Sequence, residues 1–185
     1  MCLWPPISTN LADKGYITDE LIQHYEARAK GGVGLIVTEV TTVEPTYIYL
    51  PGDMSIHDDS FIPGWKKLTD AVHQYGAKIL PQLFHPAYMA FPIPGTPRLI
   101  APSNVGPSYA KEAPRPVTIE ELKVIIRQFG EAALRVKQAG GDGVEIHAAH
   151  AHGLLGGFLT PLYNKRCDEY GGDINGRLKL TLEGC

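Results

Sequence analysis

Apolar residues along this chain fall into two alternating patterns, helical stripes and short unbroken runs, and together they predict helices and buried strands in turn. Residues 19–30 follow the helical period. Thr18 caps that helix, Asp19 and Glu20 sit in its first turn where the dipole favours acids, and Gly31-Gly32 ends it. Residues 33–40 are apolar and β-branched, which predicts a buried strand. A second helix is expected over residues 60–75, stopped by Gly76, followed by a strand at Lys78–Phe84. Thr118-Ile119-Glu120-Glu121 is a capping box. It opens a long helix to about residue 139 with Leu122, Ile125, Ile126, Phe129, Ala133 and Val136 on one face. Gly140-Gly141 closes it, and residues 143–147 read as one more buried strand. A last helix starts near Ile174 and is expected to be still running at Cys185. Between the second strand and the long helix lies a proline-rich stretch, residues 86–116, too long to be idle in a compact domain.

Helices alternating with all-buried strands specify a parallel α/β sheet. With right-handed crossovers it is either a (β/α)8 TIM barrel or an open doubly wound sheet. No Gly-x-Gly-x-x-Gly follows any strand, which disfavours a dinucleotide-binding open sheet. Leu3-Trp4-Pro5-Pro6-Ile7 reads as the tail of a further strand, giving about four in all. A full barrel takes about 250 residues. The chain is therefore expected to be one partial barrel domain over residues 1–185, holding roughly strands one to four and cut before strand five.

Composition narrows the function without choosing it. The net charge is −3 with no basic stripe, which argues against nucleic acid. No apolar run approaches the roughly 18 residues of a membrane span, and no signal core follows Met1. Cys2, Cys167 and Cys185 are too scattered for a disulfide framework or a closed metal site. A cytoplasmic setting is expected.

Candidate chemistry gathers at strand ends, where ligands of parallel α/β proteins bind. Residues 143–147 run straight into His147, His150 and His152, and such a concentration of imidazoles there signals use. One use is metal: His150 and His152 as a chelating pair with His147 as third ligand would make a barrel hydrolase. Against it, the next downstream carboxylate is as far away as Asp168. Gln82 ends an apolar strand. Its amide offers donors and acceptors together, and left unpartnered it would cost about 1–3 kcal/mol. Pro6, Ile7 and Ser8 end the first strand, where prolines stop pairing and leave backbone groups for a ligand. His85 is expected at the rim of the Gln82 face. Tyr47, Tyr49 and Tyr88 lie in loops and are candidate pocket walls.

Five segments, in order, then carry a resemblance. They are Pro6-Ile7-Ser8-Thr9-Asn10-Leu11-Ala12, Gly34-Leu35-Ile36-Val37-Thr38-Glu39, Pro81-Gln82-Leu83-Phe84-His85-Pro86, Gly143-Val144-Glu145-Ile146-His147, and Phe158-Leu159-Thr160-Pro161 through Asn164-Lys165-Arg166 to Asp168-Glu169-Tyr170-Gly171-Gly172. The chain resembles the Old Yellow Enzyme family of FMN-dependent ene-reductases. The similarity is strongest to its bacterial branch with 2-enoate reductase, 2,4-dienoyl-CoA reductase, trimethylamine dehydrogenase and bile-acid 3-oxo-4-desaturases.

The resemblance implies hydride transfer between NADH or NADPH, FMN and an activated carbon–carbon double bond in a small-molecule substrate of enoate, enoyl-CoA or 3-oxo-4-ene type. It implies that Pro6, Ile7, Ser8, Val40 and Gln82 line the flavin, and that His147 and His150 clamp the substrate oxygen. His85 and Arg166 are candidate substrate contacts, although Arg166 is equally suited to pairing with Asp168. Relatives carry a Tyr shortly after the second His as proton donor. This chain has His152 or Gly153 there, and His152 is the candidate substitute. The resemblance also implies, in the parent, an FAD domain and a 4Fe–4S cluster. A half barrel with open sheet edges is expected to bind FMN poorly and to self-associate, a possible homo-oligomer. The alternative is an inactive truncated fragment.

Overall fold

The computed structural model describes residues 2–91, 95–108 and 112–184. The chain forms two compact units. One holds Met1–Pro45, Leu50–Phe84 and Glu131–Ile146; the other holds Thr46–Tyr49, His85–Gly130 and His147–Cys185.

The first unit is built on a parallel sheet of β1 (Leu3–Trp4), β2 (Leu35–Thr42), β4 (Lys78–Phe84) and β7 (Glu145–Ile146), ordered β1-β2-β4-β7, with β3 (Met54–Ser55) also pairing with β2. This is the expected parallel α/β class. Helices α1 (Asp19–Lys30) and α2 (Ile62–His73) also belong to this unit, burying Leu21, Tyr25, Trp65, Leu68 and Val72. Thr18 caps α1 as expected, accepting from Leu21 N–H at 3.2 Å. Thr69 ties α2 to the end of α3 (Ile119–Gln138) by donating to the Ala139 carbonyl at 2.6 Å.

Several boundaries differ from expectation for identifiable reasons. β2 starts at Leu35 rather than Val33, because the Val33 N–H closes α1 on the Arg28 carbonyl at 3.2 Å. It runs on through Thr41 and Thr42, whose register partners are Leu83 and Phe84. Helix α2 is shorter than residues 60–75, because Asp58 caps a separate 3-10 turn at Asp59–Phe61. The expected buried strand at residues 143–147 shrinks to two half-buried residues, with β4 as the one pairing neighbour. Helix α5 (Ile174–Glu183) closes where Gly184 N–H bonds the Leu180 carbonyl; Cys185 lies outside the described residues.

β4 carries Pro81 in its interior, where a proline would normally break a ladder. The register shows how it is accommodated. Val37 pairs with Leu80 and Val40 with Gln82, so Thr38 and Glu39 of β2 face Pro81 alone. That is a β-bulge placed where a backbone donor is missing.

The second unit contains the loop expected at residues 86–116. It is not wholly irregular: a 3-10 turn spans Ala87–Met89, and β5 (Ile100–Ala101) pairs in parallel with β6 (Arg115–Pro116). A short helix that the sequence did not announce, α4 (Gly153–Leu159), packs here with α5. The long helix α3 begins with the expected capping box. Thr118 N–H donates to the Glu121 carboxylate at 2.9 Å and Glu121 N–H to Thr118 Oγ1 at 3.2 Å. Its buried stripe is Leu122, Ile125, Phe129, Ala132, Val136 and Ala139, so Ala132 replaces Ala133 and Ile126 is half-buried. Thr118→Ala should lower stability by about 1 kcal/mol in urea unfolding, since it removes half of the box. No helix among the described residues is long and apolar enough to cross a membrane.

Candidate active site

In the first unit, the bulge sets out a row of side chains at the carboxyl ends of the strands. Gln82 on β4 has Val40 as its register partner on one side and Glu145 of β7 on the other. Gln82 is 7% exposed and donates Nε2–H to Glu145 Oε1 at 2.6 Å. A carboxylate only accepts, so it fixes which end of the amide faces it and turns the carbonyl oxygen the other way. Glu145 was not among the expected site residues. Its partner lies 63 positions away, beyond any local signal.

Glu39 is fully buried (0% exposed) in the bulge, and it too was missed. Its backbone N–H donates to Tyr25 Oη at 3.0 Å, and its carboxylate accepts from Thr9 N–H and from Thr9 Oγ1 at 2.8 Å. Burial raises the Glu39 pKa, and the hydrogen bonds from Thr9 and the Asn10 backbone oppose that rise. The visible signal was one carboxylate inside an apolar strand. Through Thr9, Glu39 anchors the segment that follows β1. There Pro6 is half-buried, Ile7 is 55% exposed and Ser8 is exposed. Asp53 lies in the same unit. Its Oδ2 accepts from Leu50 N–H at 2.9 Å, and its buried Oδ1 has no hydrogen-bond partner.

These residues match the needs of a flavin edge. An amide oriented by a carboxylate offers both a donor and an acceptor to a pyrimidine ring. An exposed apolar residue, Ile7, on the segment that Thr9 anchors suits a flat aromatic face. On this donor set the first unit fits FMN.

In the second unit the three histidines come together as expected. The ring centroids of His147 and His150 are 6.0 Å apart, and those of His147 and His152 are 5.8 Å apart. Tyr49 meets His152 edge to face at 5.1 Å, which fits a wall residue. The turn is strained: His150 has φ 61° and Ala151 φ 55°, a conformation that non-glycine residues seldom take. Burial, followed by the electrostatic influence of His147 and His150, lowers the pKa of His152 and so favours its neutral form. Among the described residues no three His, Cys, Asp or Glu side chains are gathered to hold a metal ion.

His85 departs from expectation. It is not at a rim but 3% exposed, with Nδ1 unpartnered and its pKa pushed down to about 4 by burial. Its ring centroid is 5.9 Å from that of Tyr47, and its carbonyl accepts from Leu154 N–H. Tyr47 and Tyr88 are likewise buried rather than lining a wall. Arg166 holds Asp168 with paired bonds of 2.5 and 2.9 Å and caps the Pro102 and Val117 carbonyls. These bonds occupy the guanidinium as a tie between loops, the structural one of its two expected roles.

Residues 3–184 match the model of the NADH:flavin oxidoreductase / NADH oxidase family. The chain is 41% identical over 182 residues to an NADH oxidase from Thermoanaerobacter brockii, covering 97% of this chain and 28% of that protein. It is 39% identical over 169 residues to an NADPH dehydrogenase from Listeria monocytogenes serotype 4b, covering 91% of this chain and 49% of that one. It superposes on morphinone reductase in complex with tetrahydroNAD with a TM-score of 0.92 at 30% identity, over 99% of this chain and 54% of the other. The chain thus spans between about a quarter and about half of these relatives' lengths.

Proposed function

Because the chain belongs to the NADH:flavin oxidoreductase / NADH oxidase family, we propose that it contributes the flavin edge and the substrate clamp of an FMN-dependent oxidoreductase. NADH or NADPH is the reductant and an activated carbon–carbon double bond the acceptor, in an enoate, an enoyl-CoA or a 3-oxo-4-ene. Bound FMN supplies the two-electron hydride chemistry. Gln82, aligned by Glu145, holds the pyrimidine edge, with Val40 beside it in the row and Pro6, Ile7 and Ser8 offering backbone and apolar surface.

The observation that carries the substrate half of this reading is the strained turn that gathers His147, His150 and His152. Imidazole N–H groups of His147 and His150 donate to the substrate's carbonyl oxygen and stabilise the negative charge that grows there as the double bond is reduced. His152 stands where a tyrosine serves in relatives; its imidazolium form would give the α-carbon a proton and return to neutral imidazole, a release that burial favours by lowering the His152 pKa. We assign His85 to the support of the turn and Arg166 to the loops' fold. For the parent enzyme we propose an FAD and a 4Fe–4S cluster as in the wider branch; the two described cysteines, Cys2 and Cys167, are exposed. A cytoplasmic setting and self-association complete the proposal.

The clamp is testable without flavin. A nitrophenolate, whose oxygen mimics the developing oxyanion, should shift the imidazole NMR signals of His147 and His150. Its affinity should fall about tenfold in His150→Ala, the loss of one charge-assisted hydrogen bond. Equal affinity for the two proteins would refute the clamp.

A further inference from the structure

The backbone of the histidine turn is hard to account for from its own sequence. Asn or Asp can stabilise a left-handed conformation through a local side-chain hydrogen bond, but Ala151 has no such side chain. Two consecutive non-glycine residues at positive φ persist only where the surroundings over-determine them. His152 N–H returns to the Ala149 carbonyl at 3.0 Å, which closes the turn and leaves the Ala151 carbonyl to a partner outside it. Tyr88 meets it: its hydroxyl donates to the Ala151 carbonyl at 2.6 Å.

Tyr88 is built to stay in place. It is buried in the 3-10 turn Ala87–Met89, and its ring lies 5.0 Å from that of Tyr163. Helix α4 supplies the remaining space through Gly156 and Gly157. A Cβ at Gly157 would come within 2.7 Å of Tyr88 Cε1 and 2.8 Å of its hydroxyl. A Cβ at Gly156 would come within 2.6 Å of the Ala149 carbonyl oxygen. One glycine makes room for the tyrosine and the other for the turn, which explains a Gly-Gly pair inside a helix.

We propose that Tyr88 is the positioning residue of the histidine turn, its hydroxyl holding His150 and Ala151 in the left-handed backbone that gathers His147, His150 and His152. Tyr88 touches no reacting atom; it acts through the Ala151 carbonyl. The proposal rests on the reading above only for what the cluster binds, because its test needs neither flavin nor substrate.

The groups that face His152 include His147 and His150 of the turn and the Tyr49 ring. If the turn relaxes, the imidazoles separate and His152 regains solvent. In Tyr88→Phe of the 185-residue chain, the NMR titration midpoint of His152 should therefore rise towards 6.5, and the Cα shifts of His150 and Ala151 should lose their left-handed signature. Gly157→Ala keeps the hydroxyl but displaces the ring, and it should move the His152 midpoint in the same direction. A lower melting temperature in both variants with an unmoved His152 midpoint would overturn the proposal, leaving Tyr88 a packing residue.

Discussion

Glu39→Ala should destabilise the protein by about 3 kcal/mol, read as a fall in the urea midpoint at constant m. The change leaves Thr9 N–H and Thr9 Oγ1 without their acceptor and opens a cavity in the bulge between β2 and β4. Glu39→Gln should cost about 1 kcal/mol, because a hydroxyl can turn to accept from the amide while the amide oxygen keeps the Thr9 N–H. The gap between the two variants separates a hydrogen-bonding role from simple filling of space. Equal losses would show that Glu39 acts through volume alone. The Ala variant should also loosen residues 6–8, and with them the proposed flavin edge.

Asp53→Asn should stabilise the protein, by about 2 kcal/mol at pH 8. Burial, opposed by the Leu50 N–H and reinforced by the charge of Glu39, pushes the Asp53 carboxyl up to about 7. The sign follows from linkage. An acid whose pKa is higher in the folded state contributes stability that is fully present below about pH 4. That contribution is lost as pH rises to about 7 and stays lost above it. Asparagine keeps an oxygen for Leu50 N–H and never ionises, so the variant should lack this pH dependence. Full conversion of the shift would exceed 2 kcal/mol; the amide N–H₂ placed where Oδ1 has no partner offsets part of the gain. At pH 4 the advantage should vanish. Since Glu39 helps raise Asp53, the two substitutions should also be non-additive.

What the sequence made legible was whatever local chemistry decides. The strand Lys78–Phe84 was read with its observed ends, because Gly76 precedes a mostly apolar run and Pro86 follows it. The caps at Thr18 and Thr118 were read from side chains three residues from their partners. The gathering of His147, His150 and His152 followed from their closeness in sequence.

Features that depend on distant partners were not legible. The bulge requires knowing that Pro81 faces Thr38 and Glu39, and the length of β7 depends on how many strands flank it. α4 was missed because its three glycines argue against a helix; only the close approaches of Ala149 to Gly156 and of Tyr88 to Gly157 make two of them useful. His85 looked like a rim residue from its position after a strand, yet it is buried. Nothing in the stretch Phe84-His85-Pro86 records that.

The central claim is that this chain holds a flavin edge through Gln82. The most direct measurement is a heteronuclear NMR titration of the 185-residue chain with millimolar FMN, following the Gln82 side-chain amide and the Ile7 and Ser8 backbone amides. Weak, saturable shifts are expected at these three positions, lost in Gln82→Ala while the spectrum stays folded. Shifts that persist unchanged in Gln82→Ala, or no shifts at these positions, would contradict it.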